Sequence, residues 1–221
     1  ITEILIKGGR TAGVKLSDGT EHHAPVVVNI AGPHSSKINQ MAGVYDEMKI
    51  KTAALRHEVA HVPAPEGINI EETGMVTSDS DISTYARPET GNHVLAGSED
   101  PACDTREWVD PDDWNAELSE QARIQAMRLA QRWTGLPIPN QMKGVVELYD
   151  VTEDWAPIYD KTILPGFYVA IGTSGNQFKN APVVGKMMSK LIQECQSGRD
   201  HDVDPVPFHF ENVSMDISIG F

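Results

Sequence analysis

The chain has 221 residues and carries a formal net charge of −14 at pH 7, from 32 acidic and 18 basic side chains. Nucleic acids and anionic membranes both bind to basic protein surfaces, so this charge argues against either partner. The two cysteines, Cys103 and Cys195, form neither a disulfide framework nor a metal-ligating cluster, and this usage predicts a cytoplasmic protein.

The first 45 residues predict a small meander, a buried strand and a short helix. Apolar and polar residues alternate over residues 1–16, and residues 17–20 have the turn sequence Ser-Asp-Gly-Thr. Residues 25–32 are almost continuously apolar, as a central parallel strand buried on both faces requires. A short helix is expected over residues 36–42.

Residues 57–61, His-Glu-Val-Ala-His, match the H-E-x-x-H pattern of zinc peptidases. That site needs a helix that brings both histidines onto one face, with the glutamate as general base. The alternation over residues 54–61 and the prolines that follow predict a strand instead, with His57 and His61 on one face. A zinc metallopeptidase is kept as an alternative function.

The middle of the chain predicts three further elements. Residues 84–97 form a hairpin that turns at residues 89–92. Asp110 and Pro111 are typical of a helix start, and the apolar spacing predicts a long helix over residues 110–133. Residues 143–149 predict a strand that presents Glu147 and Tyr149 on the same face.

Residues 165–198 predict a strand, a glycine-bearing loop and a helix in direct succession. The strand covers residues 167–171, and the helix runs from Asn180 as N-cap to Gly198. From the residues alone, the loop between them is either a plain polar connection or a site that attracts negative charge at a helix N-terminus.

The run Val-Ala-Ile-Gly-Thr-Ser-Gly-Asn-Gln-Phe-Lys-Asn-Ala-Pro, residues 169–182, resembles the C-terminal signature of the D-amino-acid-oxidase-like flavoproteins, with sarcosine oxidase and glycine oxidase among them. Residues 1–45, the Tyr-x-Arg-Pro element of the hairpin and residues 201–221 resemble other parts of that family. The resemblance implies an α/β (α+β) fold. Residues 1–45 and 151–221 would belong to a partial FAD-binding domain, and residues 46–150 to a substrate-binding domain with a mixed or antiparallel sheet and a flanking long helix.

The family resemblance also implies a reaction, the FAD-dependent oxidation of the C–N bond of an amino acid or N-methylated amine to an imine. The partner would be this small-molecule substrate, and a homo-oligomer is left open. No Gly-x-Gly-x-x-Gly occurs, and residues 1–7 already have a strand pattern. We therefore expect the C-terminal portion of a longer protein, which would hold FAD poorly and be inactive alone. A non-enzymatic fragment is the second alternative.

The resemblance assigns candidate residues as well. Lys179, as a contact of the substrate carboxylate, and Tyr149 are the catalytic candidates. Tyr85 and Arg87 are candidate substrate contacts, or structural residues of a half-buried sheet. Relatives of sarcosine oxidase carry a cysteine bonded to the flavin where this chain has Glu147, so the flavin would be non-covalent at that position. The candidates for cofactor binding are Ala31, Gly32, Gly172, Thr173, Ser174, Gly175, Asn176, Gln177, Phe178 and Lys179.

Overall fold

The computed structural model describes residues 1–208 and divides the chain into two compact units. Unit 1 consists of Ile1–Ala31, Lys37–Lys49 and Ala156–Phe221, and unit 2 of Gly32–Ser36 and Ile50–Trp155. Residues 209–221, the end of the segment that resembles the family's closing segment, lie outside the described residues. No helix within residues 1–208 is long and apolar enough to cross a bilayer.

Unit 1 contains two small sheets. The first is the predicted antiparallel meander of β1 (Glu3–Lys7), β2 (Arg10–Lys15) and β3 (Glu21–His23). The second sheet has the order β11-β12-β4, with β4 (Val27–Asn29), β11 (Ile158–Lys161) and β12 (Phe167–Ile171). Helix α1 (Ser35–Met41) follows β4, and helix α4 (Ala181–Gln196) follows β12.

Strand β12 is the buried centre of this second sheet. Phe167, Val169 and Ile171 face one apolar cluster, while Tyr168 packs against Leu191 of α4 on the other side. The predicted parallel pairing is confirmed, since β12 runs parallel to β4 and antiparallel to β11. The expectation that β4 is a central strand buried on both faces is wrong. It has three residues, two of them half-buried, and within residues 1–208 it pairs only with β12.

Unit 2 is a six-stranded antiparallel sheet with a helix on one face. Its strands are β5 (Thr52–Pro63), β6 (Thr77–Asp79), β7 (Thr84–Glu89), β8 (His93–Ser98), β9 (Glu107–Val109) and β10 (Lys143–Thr152). Their order is β10-β5-β8-β7-β6, and β9 also pairs with β5. A short helix α2 (Ile70–Thr73) precedes β6, and helix α3 (Glu120–Ala130) lies between β9 and β10.

The two faces of this sheet differ. Ala122, Ala126 and Leu129 of α3 pack with Ala60 and Val62 of β5 in the core of unit 2, which defines the helix face. Because side chains alternate along a strand, Tyr85 and Tyr149 fall on the opposite face, which we call the tyrosine face. The predicted hairpin and the predicted strand from Lys143 are both confirmed.

The long helix predicted over residues 110–133 is wrong in its first part. Helix α3 begins at Glu120, with Ser119 as its N-cap, and residues 110–119 are not helical. Buried side chains of β5 explain the later start. Arg56 donates to the carbonyls of Asn115 and Glu117, and the Glu58 carboxylate accepts from the backbone N–H of Ser119 at 3.1 Å. These bonds hold residues 115–119 outside the helix.

Candidate functional site

The carboxyl ends of β4 and β12 lie side by side in unit 1. The two strands are parallel, and Asn29 pairs with Val169 in their register. Ala31 lies two residues after β4, and Gly172 follows β12 directly, so the structure brings these two predicted cofactor-binding residues of unit 1 to the same sheet edge. Ligands of α/β sheets bind at this kind of edge.

Two buried asparagines hold the chain where it leaves β4. The Nδ2 of Asn29 donates to Oδ1 of Asn39 at 2.8 Å, and the backbone N–H of Ala31 donates to Oδ1 of Asn29 at 3.1 Å. Both side chains are buried. The turn at Ala31 and Gly32 is therefore fixed by hydrogen bonds in the interior. Sequence reasoning missed Asn29, although a polar residue within an apolar run was the available signal.

The loop after β12 has an unusual backbone. Gly172, Ser174 and Gly175 have φ angles of 71°, 47° and 74°, all in the left-handed region. Ser174 tolerates this conformation while buried, with its Oγ donating to the carbonyl of Gly172 at 3.2 Å. These left-handed residues fold the backbone tightly between β12 and α4.

The end of this loop leads into α4. Asn180 is the N-cap residue, as predicted, but its side chain makes no capping bond and instead donates to Oε1 of Gln177 at 2.7 Å. Lys179 is exposed, and its ammonium donates to the carbonyl of Asn176 at 2.8 Å. A lysine therefore stands at the positive end of a 16-residue helix. Phe178 beside it is 97% exposed.

On the tyrosine face of unit 2, two of the predicted site residues meet. The hydroxyl groups of Tyr85 and Tyr149 are hydrogen-bonded to each other. Burial, together with the neighbouring Tyr149, raises the pKa of Tyr85 well above its ordinary value, and burial also raises the pKa of Tyr149. Both phenols are neutral at physiological pH. Gly97 makes room for them, because a Cβ at that position would lie 2.2 Å from Cζ of Tyr85.

The remaining predicted residues of unit 2 are more peripheral. Arg87 is exposed and forms an ion pair with Glu89 at 3.3 Å. Glu147 is exposed and lies opposite His57 in the register of β10 and β5. Sequence reasoning named His57 only as a zinc ligand of the peptidase alternative or as a strand residue, yet its ring stacks on that of Tyr149 with centroids 4.4 Å apart.

The zinc-peptidase alternative fails on the geometry of β5. His57 and His61 lie on the tyrosine face, while Glu58 lies on the helix face in an ion pair with Arg56 at 2.6 Å. A general base on the opposite side of the sheet cannot activate water for those histidines. Among residues 1–208, no group of three or more His, Cys, Asp or Glu side chains is arranged to hold a metal ion.

Comparisons with known proteins agree on one family. The family model described as "DAO: FAD dependent oxidoreductase" matches residues 1–191. The sarcosine oxidase subunit beta of Rhodobacter capsulatus is 27% identical over 198 residues, which cover 89% of this chain and 44% of that protein. The chain thus spans less than half the length of this curated relative.

Solved structures show the same fold. L-proline dehydrogenase from P. horikoshii matches with a TM-score of 0.67 and 20% identity, over 87% of this chain and 49% of that one. Glycine oxidase from Geobacillus kaustophilus matches with a TM-score of 0.64 and 18% identity, over 95% of this chain and 52% of that one. The mixed α/β fold predicted from the sequence is confirmed.

Proposed function

The chain belongs to the DAO family of FAD-dependent oxidoreductases, and from this premise we propose that the complete protein oxidises the C–N bond of an amino acid or N-methylated amine. In this reaction FAD supplies the acceptor for a hydride equivalent from the carbon next to nitrogen. The substrate is left as an imine, which water hydrolyses to a carbonyl compound and an amine. The net charge and the cysteine content support a cytoplasmic location.

The sheet edge of unit 1 fits the flavin part of FAD. The left-handed residues Gly172, Ser174 and Gly175 suit a loop whose amides meet a polar ring edge. Ile30 and Phe178 are 71% and 97% exposed, and they offer apolar surface that a flat aromatic ring would cover. The candidates for this contact are Ala31 and Gly32 after β4, with residues 172–179 after β12.

The position of Lys179 is the observation that supports an amino acid as the substrate. Its ammonium stands at the N-terminal end of α4, where the helix dipole already supplies positive potential. An anion at this position would interact favourably with both charges. We assign the anion as the carboxylate of an amino-acid substrate, with Lys179 as its binding residue.

The family resemblance also makes Tyr149, on the tyrosine face of unit 2, a proposed substrate contact. One hydroxyl hydrogen is used within the hydrogen-bonded pair, which leaves the other to donate to a substrate oxygen, and we assign that donor to Tyr149. Both phenols stay protonated and thus act as hydrogen-bond donors rather than bases. Arg87 is a further candidate contact, in competition with its ion pair to Glu89.

Anaerobic reduction of the flavin tests the proposal. The complete protein, loaded with FAD, is mixed with N-methyl amino acids, proline and glycine, and with amines that lack the carboxylate. We expect at least one carboxylate-bearing amine to bleach the oxidised flavin and to yield the carbonyl product. A protein that holds FAD but is reduced by no amine would contradict the proposal and favour the non-enzymatic alternative.

A further inference from the structure

His57 contacts the tyrosine pair through its ring. The imidazole and the phenol of Tyr149 lie with their centroids 4.4 Å apart and their planes inclined by 19°, a stacked arrangement. The two residues come from neighbouring strands, His57 from β5 and Tyr149 from β10, where they are diagonal neighbours on the tyrosine face. With the zinc alternative excluded, His57 has no role in the proposed reaction.

We propose that His57 is a positioning residue, whose stacked ring holds the phenol of Tyr149 in the orientation that is hydrogen-bonded to Tyr85 and faces the substrate. This inference rests on the proposed function, in which Tyr149 contacts the substrate. The flat face of the imidazole thus sets the orientation of the Tyr149 phenol.

Stability alone does not explain a histidine at this position. The Nε2 of His57 is buried without a hydrogen-bond partner among the described residues. Such an orphaned nitrogen destabilises the fold, whereas a phenylalanine of similar shape would leave no polar atom unsatisfied. The ring therefore contributes something other than a hydrogen bond to the interior, and its one aromatic contact among residues 1–208 is Tyr149.

The surroundings of His57 keep this contact uncharged. His57 lines a cleft of about 320 Å³ together with Asp100, Asp104, Arg106 and Glu107. Burial lowers the pKa of His57, although Asp100, Glu58 and Asp104 act in the opposite direction. These carboxylates are already engaged with arginines, Asp100 with Arg106, Glu58 with Arg56 and Asp104 with Arg128.

Three variants of the complete, FAD-loaded protein distinguish the effect of a planar ring at position 57 from the effect of side-chain volume alone. His57→Leu keeps an apolar side chain but removes the plane, and His57→Phe restores a plane without nitrogens. His61→Leu is the control, since His61 lies on the same face of the same strand four residues further on. We expect His57→Leu to lower kcat/KM by about tenfold, chiefly through KM, as a misoriented contact does. His57→Phe should recover most of that loss, and His61→Leu should match the parent.

A second measurement needs no turnover. In protein labelled with ¹³C at Cζ of tyrosine, the signals of Tyr85 and Tyr149 are assigned with the two Tyr→Phe variants. His57→Leu should shift both signals, and His57→Phe should restore them. Unmoved signals in His57→Leu, or an equal loss of kcat/KM in both variants, would overturn the inference. Shifted signals in a protein that oxidises no amine would uphold the positioning role and refute the proposed function instead.

Discussion

Arg56 and Glu58 form an ion pair at 2.6 Å on the helix face of β5, with both side chains almost completely buried. Two residues apart on one strand, they point to the same side and tie that strand to residues 115–119. The pair therefore explains both why α3 begins at Glu120 and why Glu58 has no part in a zinc site.

Removal of Glu58 should destabilise unit 2 without abolishing catalysis. Glu58→Ala removes the buried partner of Arg56 and leaves that arginine paired with the half-exposed Glu107, so we expect a loss of about 3–5 kcal/mol in the free energy of unfolding. Glu107→Ala is the matched control, because Glu107 meets the same arginine at 3.3 Å with a side chain that is 48% exposed, and it should cost about 0–1 kcal/mol. Urea denaturation measures both. A zinc-dependent peptidase activity that disappears with Glu58→Ala would refute the strand assignment.

Asn29 should matter for cofactor binding as well as for stability. Asn29→Val removes the acceptor of the Ala31 N–H and leaves Asn39 without its donor, for an expected loss of about 1–3 kcal/mol in stability. The loosened turn should also raise the dissociation constant of FAD, measured by fluorescence titration of the complete protein. Gln40→Ala, an exposed change on α1 beside Asn39, is the control and should alter neither quantity. An unchanged FAD affinity in Asn29→Val would remove the Ala31 turn from the cofactor site.

Gly97→Ala should lower both stability and activity. The new Cβ would overlap the end of the buried Tyr85 ring, which must shift to relieve the clash. We therefore expect a loss of about 1–3 kcal/mol in stability, and a clear fall in kcat/KM because the Tyr85–Tyr149 hydrogen bond breaks. Gly185→Ala on α4 meets no atom within 4 Å and should leave activity unchanged. Unaltered kinetics in Gly97→Ala would show that Tyr85 has no role in catalysis.

Asp104 should make stability depend on pH in the acid range. Burial alone would raise its pKa, but hydrogen bonds from Arg128 and Ser98 outweigh this and lower the pKa to about 2. A depressed folded-state pKa stabilises the fold above the unfolded value and loses that contribution as pH falls through about 2. The difference in unfolding free energy between the parent and Asp104→Asn should therefore shrink from pH 5 to pH 2. A difference that stays constant would contradict this pairing.

Local signals predicted much of the fold, and non-local contacts explain the rest. The strand of residues 167–171 and the helix after Asn180 are marked by glycines and by apolar periodicity within the segment itself. The start of α3 could not be predicted, because Arg56 and Glu58 lie about 60 positions away in the sequence. Tyr85 and Tyr149 were named from a family resemblance. Their hydrogen bond depends on the register of β7, β8, β5 and β10, which no local pattern specifies.

The 221-residue chain by itself should bind FAD weakly. Its sequence contains no Gly-x-Gly-x-x-Gly, the loop whose amides and following helix hold a dinucleotide pyrophosphate. Equilibrium dialysis of this chain and of the complete protein against FAD compares the two directly. A purified 221-residue chain that carries a stoichiometric flavin absorption band would refute this expectation.

The most direct test of the central claim pairs Lys179→Met with two kinds of substrate. Flavin reduction by an amino acid and by the same amine without its carboxylate is followed anaerobically in the parent and in the variant. Loss of a hydrogen bond to a charged group should raise KM for the amino acid and lower its kcat/KM by the equivalent of about 1.5–3 kcal/mol. The kinetics of the decarboxylated amine should hardly change. Equal effects on both substrates, or no effect on either, would contradict the assignment of Lys179 to the carboxylate and with it the claim that this protein oxidises amino acids.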